Sequence, residues 1–134
     1  MSDVGNLAGL KVMVIDDSNT IRRSAEIFLK QSGCTVVLAE DGFDALAKVA
    51  DTQPDVVICD ILMPRLDGYQ TCAMIKKSPR FKDTPVVMLS SKDGLFDRAR
   101  GRMVGSDQYL TKPFTKESLL RTVSEYARKP VVAA

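Results

Sequence analysis

Five short apolar runs, each followed by a stretch of helical length, constrain the fold of this chain most strongly. The runs span residues 11–15, 35–38, 56–59, 85–89 and 108–110. Three of them contain the sequences VMVI, VVIC and VVML, which are continuously apolar and rich in β-branched side chains. Strands that are buried on both faces of a parallel sheet have this composition. The pattern therefore predicts five consecutive strand-then-helix units.

The segments between the runs carry helical apolar stripes, in which side chains three and four residues apart share one face. Three helices are predicted from the stripes Ile21, Ser24, Ala25, Phe28 and Leu29; Phe43, Leu46, Ala47 and Ala50; and Lys116, Leu119, Leu120 and Val123. Weaker stripes predict two further helices over 69–77 and 95–104.

Turn and cap residues agree with these boundaries. Gly33 and Gly105 stand where helix C-termini need a left-handed residue, and Asp41 and Thr115 stand where a side-chain oxygen can cap the next helix. Gly68 is predicted to supply a turn before the helix that follows it. Alternating strands and helices with short connections give an α/β fold, a doubly wound five-stranded parallel sheet with helices on both faces.

Length and composition predict one soluble domain. The chain has 134 residues, of which 45% are hydrophobic, and this is enough for a core without disulfides or metal. We expect a domain over 10–128, a flexible N-terminus over 1–9 and a short tail over 129–134. No run of eighteen apolar residues and no secretory signal is visible, so a cytoplasmic location without membrane insertion is expected.

Residue counts exclude several classes of protein. Three widely spaced cysteines form no CxxC pair and indicate neither a disulfide framework nor a zinc site. The lack of histidine excludes a Ser-His-Asp triad, an imidazole metal ligand and a histidine phosphocarrier. A net charge of +2 without a basic stripe argues against nucleic-acid binding.

Polar residues follow the predicted strands at the ends where a site is expected. Asp16 and Asp17 end the first strand, Asp60 the third and Ser90 the fourth, while Lys112 follows the fifth. Carboxyl ends of parallel strands lie at one edge of the sheet, and ligands bind there where the strand order reverses. Crowded carboxylates repel one another unless a cation lies among them, and Mg²⁺ suits an all-oxygen site.

The lysine and the serine extend this prediction from a metal site to a phosphoryl site. An ammonium group can neutralise one phosphoryl oxygen, and a hydroxyl can donate a hydrogen bond to another. A phosphoryl group transferred onto a carboxylate at this edge would therefore meet several positive or donating groups.

The same residues carry a resemblance to a known family. The segments VIDDS, CDILMPRLDG, MLSSK and YLTKPF, with their spacing, are similar to those of the response-regulator receiver family, whose single-domain members are CheY-like and flavodoxin-like in fold. The resemblance covers residues 10–128. Longer stretches, among them DGFDALAKVAD and GSDQYLTKPF, resemble the twitching-motility regulators of type IV pilus systems.

The resemblance implies a role for each site residue. Asp60 would be the phosphorylated residue, with Mg²⁺ held by Asp60, by Asp17 directly, by Asp16 through water and by the backbone carbonyl of Leu62. Ser90 and Lys112 would contact the phosphoryl group.

The resemblance also implies a switch and an unusual peptide bond. Tyr109 would be the aromatic switch residue, turning its ring inward when Ser90 moves toward the phosphoryl group. The peptide bond between Lys112 and Pro113 would be cis.

A phosphorylation-switched binding module is the leading functional hypothesis. A sensor histidine kinase would donate the phosphoryl group. A downstream motility or pilus-assembly protein would then dock on the face formed by the predicted helix 95–104, the fifth strand and the last helix. The domain would act as a monomer and would catalyse only its own phosphorylation and dephosphorylation.

Two alternatives are weaker. An aspartyl-phosphate phosphatase typically has a second Asp two residues after its nucleophile, whereas this chain has Leu62 there. A receiver that has lost phosphorylation and serves as a constitutive scaffold is disfavoured because every acidic, hydroxyl and lysine position is filled.

Overall fold

A five-stranded parallel sheet forms the centre of the protein, described here from a computed structural model over residues 7–90 and 104–127. The strands lie in the order β2-β1-β3-β4-β5. Their bounds are β1 Lys11–Ile15, β2 Thr35–Ala39, β3 Val56–Asp60, β4 Val86–Ser90 and β5 Gln108–Thr111. All five predicted strands are therefore confirmed, and the last four extend one residue further toward their carboxyl ends than the apolar runs indicated.

Within the described residues, helices follow four of the five strands, as the alternating pattern predicted. Those in the described part of the chain are α1 Asn19–Gln31, α2 Gly42–Thr52, α3 Gly68–Lys77 and α4 Lys116–Ala127. The helix predicted over 95–104 falls outside the described residues except for its last one. Within the described ranges, no helix has the length and apolarity that a bilayer crossing would need.

Alternate residues of each strand enter two separate cores, one on either face of the sheet. Val12 and Val14 of β1 pack with α1 and α4, whereas Met13 and Ile15 pack with α2 and α3. Each central strand is buried along nearly its whole length, which explains the continuous apolar runs. The fold is the doubly wound flavodoxin-like α/β architecture that the sequence predicted. The three cysteines are free and buried in these cores.

The apolar stripe predicted for α2 is largely wrong. Gly42, Ala45 and Val49 are the buried residues of this helix, with Leu46 partly buried beside them. Phe43 is 51% exposed. The start of α2 packs so closely on α3 that a Cβ at Gly42 would lie 2.3 Å from Thr71 Oγ1. The face with the smallest side chains therefore turns inward, and the aromatic ring one residue later turns outward.

The predicted caps are present. Asp41 Oδ1 accepts a hydrogen bond from Asp44 N, and Thr115 Oγ1 accepts one from Ser118 N. Gly33 and Gly105 both have the positive φ expected at these positions. Leu7 is fully buried in the core beside α1, so packed structure includes residues that the sequence pattern assigned to a flexible N-terminal segment.

Gly68 has a different role from the turn predicted for it. It is the first residue of α3, and a Cβ there would lie 2.2 Å from the carbonyl oxygen of Asp60 and 2.7 Å from Ile61 Cα. Its N–H donates a hydrogen bond to the carbonyl of Ile61. Glycine is needed because the start of α3 lies against the backbone that carries Asp60.

Replacing Gly68 with Ala is expected to lower the free energy of unfolding by about 1–3 kcal/mol, the usual cost of forcing an extra methyl into a packed site. Urea unfolding measures this change. Gly9→Ala is the matched control, because its methyl would meet no atom within 4 Å and reports only the cost of the positive φ. A Gly68→Ala protein as stable as the parent would show that the close approach is unimportant.

Candidate functional site

Three carboxylates meet at the carboxyl edge of the sheet, where β1 and β3 lie side by side and the strand order reverses. Asp16, Asp17 and Asp60 each place one oxygen within 4.8 Å of the others. Asp16 and Asp60 are buried, and Asp17 is exposed at the rim. The structure thus brings together the acidic residues that the sequence predicted.

Local hydrogen bonds hold the buried Asp16 in place. Asp16 Oδ1 accepts a hydrogen bond of 2.9 Å from Ser18 N. Ser18 is also the N-cap of α1, accepting from Ile21 N. Arg22, one turn into the helix, donates to the backbone carbonyl of Asp16 at 2.6 Å. The start of α1 therefore fixes the end of β1, and neither Ser18 nor Arg22 was singled out from the sequence.

Lys112 reaches the carboxylates from the segment after β5. Its Nζ donates to Asp60 Oδ1 at 2.9 Å and lies 3.7 Å from Asp16 Oδ2. Its backbone N–H donates to the carbonyl of Ser90 at 2.7 Å, which ties this segment to the end of β4. The peptide bond between Lys112 and Pro113 is cis, as the resemblance implied.

Burial and like charge make full ionisation of this cluster unfavourable. Burial raises the pKa of Asp60 and the nearby Asp17 raises it further, although the hydrogen bond and charge of Lys112 act against both. Burial also raises the pKa of Asp16, and a hydrogen bond from the backbone of Ser18 only partly offsets it. Burial lowers the pKa of Lys112, but its contacts with the carboxylates outweigh this, and the net shift is upward.

The donor atoms of this cluster fit a hard divalent cation. Asp16 Oδ2 is a buried oxygen that accepts no hydrogen bond from any described residue. Among the residues that the structure describes, the ammonium group of Lys112 is the one that contacts this cluster of three carboxylates, so negative charge remains for a cation to neutralise. Mg²⁺ prefers carboxylate and carbonyl oxygens with some water retained, which matches these ligands.

Ser90 and Tyr109 lie on neighbouring strands beside the cluster. Ser90 is the last residue of β4, is 3% exposed and pairs with Thr111 of β5. Tyr109 is two residues before Thr111, so it lies on the same face of the sheet as Ser90. Its partly buried ring packs against the core of α2 and α3.

Comparison with known proteins places this arrangement in a family. The model of the response regulator receiver domain matches residues 12–124, which is most of the chain. The chain belongs to the response regulator receiver family. The receiver is therefore a phosphoryl-accepting signalling protein of a two-component system, as the sequence motifs predicted.

Individual relatives agree with this assignment. The receiver is 70% identical over 118 residues to protein PilG of Pseudomonas aeruginosa, covering 88% of this chain and 87% of PilG. The structure of chemotaxis protein CheY4 of Vibrio cholerae is 34% identical, with a TM-score of 0.86, and the match covers 89% of this chain and 99% of CheY4.

A third solved structure contains a metal ion. The receiver domain of the sensor histidine kinase PA1611 from Pseudomonas aeruginosa is 25% identical, with a TM-score of 0.83 and a match covering 91% of this chain and 100% of that domain. That structure has a magnesium ion coordinated in its active-site cleft.

Replacing Asp17 with Ala should stabilise the metal-free receiver by about 0.5–1 kcal/mol, because one of three mutually repelling charges is removed. Mg²⁺ at ten times its dissociation constant should stabilise the parent by about 1.4 kcal/mol and the variant much less. Urea unfolding with EDTA or Mg²⁺ measures both effects. Asp83→Ala, an exposed acid before β4, is the control. Full Mg²⁺ stabilisation in Asp17→Ala would exclude Asp17 as a ligand.

Proposed function

We propose that Asp60 is the phosphorylated residue and that it receives the phosphoryl group from the phosphohistidine of a sensor kinase. The contact of Lys112 Nζ with Asp60 Oδ1 inside a cluster of three carboxylates is the observation that carries this assignment. It supplies a nucleophile and a cation for the incoming phosphoryl group in one place.

A bound Mg²⁺ would be held by Asp60, by Asp17 directly, by Asp16 through water and by the backbone carbonyl of Leu62. When bound, it neutralises charge on the phosphoryl oxygens. The orphaned Asp16 Oδ2 and the excess of carboxylates over ammonium groups support this ligand set.

Catalysis of phosphoryl transfer depends mainly on the positioning of the reacting groups and on the stabilisation of their charge. One carboxylate oxygen of Asp60 forms the bond to phosphorus as the bond from phosphorus to the histidine nitrogen breaks. The electron pair of that bond stays on the imidazole, and an acyl phosphate forms on Asp60. Lys112 exchanges its contact with the free carboxylate for an ion pair with a phosphoryl oxygen, and the Ser90 hydroxyl donates to another.

Phosphorylation then shifts the receiver between two forms. In the phosphorylated form Ser90 lies against the phosphoryl group, and the ring of Tyr109 occupies the space that Ser90 leaves. Their placement on one face of β4 and β5 supports this coupling. The output partner docks on the face that includes β5 and α4; the helix predicted over 95–104, which would complete this face, lies almost entirely outside the described residues.

The relatives support a role in motility. Identity of 70% to PilG favours control of type IV pilus twitching or a related chemotaxis-like behaviour through a pilus-assembly or motility protein. We infer a monomeric cytoplasmic domain over 10–128, to which Leu7 adds a buried side chain. Its catalysis is limited to its own phosphorylation and dephosphorylation.

A hydrolase acting on other substrates fits the site less well. Leu62, which stands where a phosphatase of this chemistry would have its second Asp, is 77% exposed and offers only an apolar side chain. A scaffold that is never phosphorylated would bear the repulsion among three crowded carboxylates with no ligand to complete the site.

Acetyl phosphate should label the receiver with one phosphoryl group in the presence of Mg²⁺, and EDTA should prevent labelling because the carboxylates then repel the donor. Intact-protein mass spectrometry measures the stoichiometry. Asp60→Asn should remove the label. Asp67→Asn, which keeps a capping oxygen at the start of α3, is the matched control and should be labelled normally. Labelling that survives in Asp60→Asn or in EDTA would contradict the assignment.

A further inference from the structure

The segment 61–67 between β3 and α3, called here the β3–α3 loop, contains a residue in a disfavoured backbone conformation. Arg65 has a φ of +67°. Among the described residues other than glycine, Gln53 also has a positive φ, but it ends α2, where left-handed residues are common. Arg65 ends no helix. A side chain with a Cβ stays in this region when surrounding contacts hold it there.

Two contacts of the Arg65 side chain can keep the residue in this conformation. Its guanidinium donates to Asp41 Oδ2 at 2.9 Å and lies 5.2 Å from the centre of the Phe43 ring. Asp41 is fixed in turn, because its other carboxylate oxygen caps α2 through Asp44 N at 2.7 Å. Asp41, Phe43 and Arg65, called here the Arg65 clamp, therefore tie the β3–α3 loop to the first turn of α2.

The clamp adds a restraint to a loop that is also held by other contacts. The base of the loop is closed by the hydrogen bond from Gly68 N to the carbonyl of Ile61, and the side chains of Ile61 and Met63 are buried in the core. Leu62, between these two buried residues, is 77% exposed, so packing of its own side chain cannot fix its backbone. Arg65 adds a contact with the start of α2 on the far side of Met63.

We propose that Arg65 is a positioning residue, which holds the β3–α3 loop so that the carbonyl of Leu62 is ready to bind Mg²⁺. The inference rests on the proposed function, since it requires that carbonyl to be a ligand. A ligand that is already in place loses less conformational freedom when the ion binds, so the clamp increases Mg²⁺ affinity. The clamp also gives the exposed ring of Phe43 a partner, the Arg65 guanidinium.

The direction of the change in Mg²⁺ affinity distinguishes a positioning role of Arg65 from an effect of its charge. Arg65 is a cation, and removing it lowers the positive potential around the carboxylates, which by itself would strengthen Mg²⁺ binding. Loss of the clamp would weaken binding. The two explanations therefore predict opposite changes for Arg65→Ala.

Isothermal titration of the metal-free receiver with MgCl₂ tests the proposal. Arg65→Ala should raise the dissociation constant about three- to fivefold, the size that an exposed ion pair with a ring contact supports. Arg65→Lys should recover part of the affinity through its ion pair with Asp41. Arg80→Ala is the matched control, because Arg80 also lies over a ring, that of Phe81, at 5.1 Å, but outside the β3–α3 loop.

Two further measurements decide between the outcomes. The urea midpoint of Arg65→Ala in EDTA should stay close to that of the parent, since a general loss of structure would lower it. Asp41→Asn keeps the helix cap but loses the ion pair, so its combination with Arg65→Ala should bind Mg²⁺ no more weakly than the weaker single variant.

Unchanged or tighter Mg²⁺ binding in Arg65→Ala would overturn the clamp while leaving the proposed function intact. Losses of Mg²⁺ affinity that add up in the Asp41→Asn, Arg65→Ala double variant would also overturn the clamp. If the parent itself fails to bind Mg²⁺ and to accept phosphate, the proposed function fails instead.

Discussion

Repulsion among buried carboxylates, balanced incompletely by one lysine, is the constraint on which the site depends. Asp16 and Asp60 are almost inaccessible to water, and burial raises the pKa of each. Lys112 contacts both but bonds closely with Asp60 alone. An arrangement of this kind costs stability in the metal-free protein and gains it when a cation and a phosphoryl group complete the site.

The fold supplies this arrangement through strand order and close packing. Because β1 lies between β2 and β3, the carboxyl ends that carry Asp16 and Asp60 are neighbours. Gly68 lets the start of α3 lie against the backbone of Asp60, and the backbone N–H of Lys112 bonds to the end of β4. Each functional side chain is therefore held by a regular element or by a short segment tied to one.

Much of this could be predicted from the sequence, because the signals were local or repeated. Apolar runs of strand length gave the sheet, and polar residues at their ends gave the site, since parallel topology brings those ends together. The caps at Asp41 and Thr115 were predicted because one side-chain oxygen acts on a neighbouring helix start.

The features that were not predicted depend on tertiary packing, for which the local sequence contains no signal. The buried face of α2 was predicted wrongly because its direction follows from the close contact of Gly42 with α3, which outweighs the apolar character of Phe43. The contact of Arg65 with Asp41 joins residues 24 positions apart, and its positive φ has no signal in the residue type. Leu7 was assigned to a flexible segment because a single apolar residue carries no periodicity.

A crystal structure of the receiver with Mg²⁺ and beryllofluoride would show whether the crowded carboxylates form a phosphoryl site. We expect a beryllofluoride group on Asp60, contacted by Lys112 and Ser90, with the Tyr109 ring turned inward. We also expect one Mg²⁺ about 2.1 Å from oxygens of Asp17, Asp60 and the Leu62 carbonyl. Beryllofluoride bound at another residue, or a metal ion that does not contact Asp17 and Asp60, would contradict these assignments.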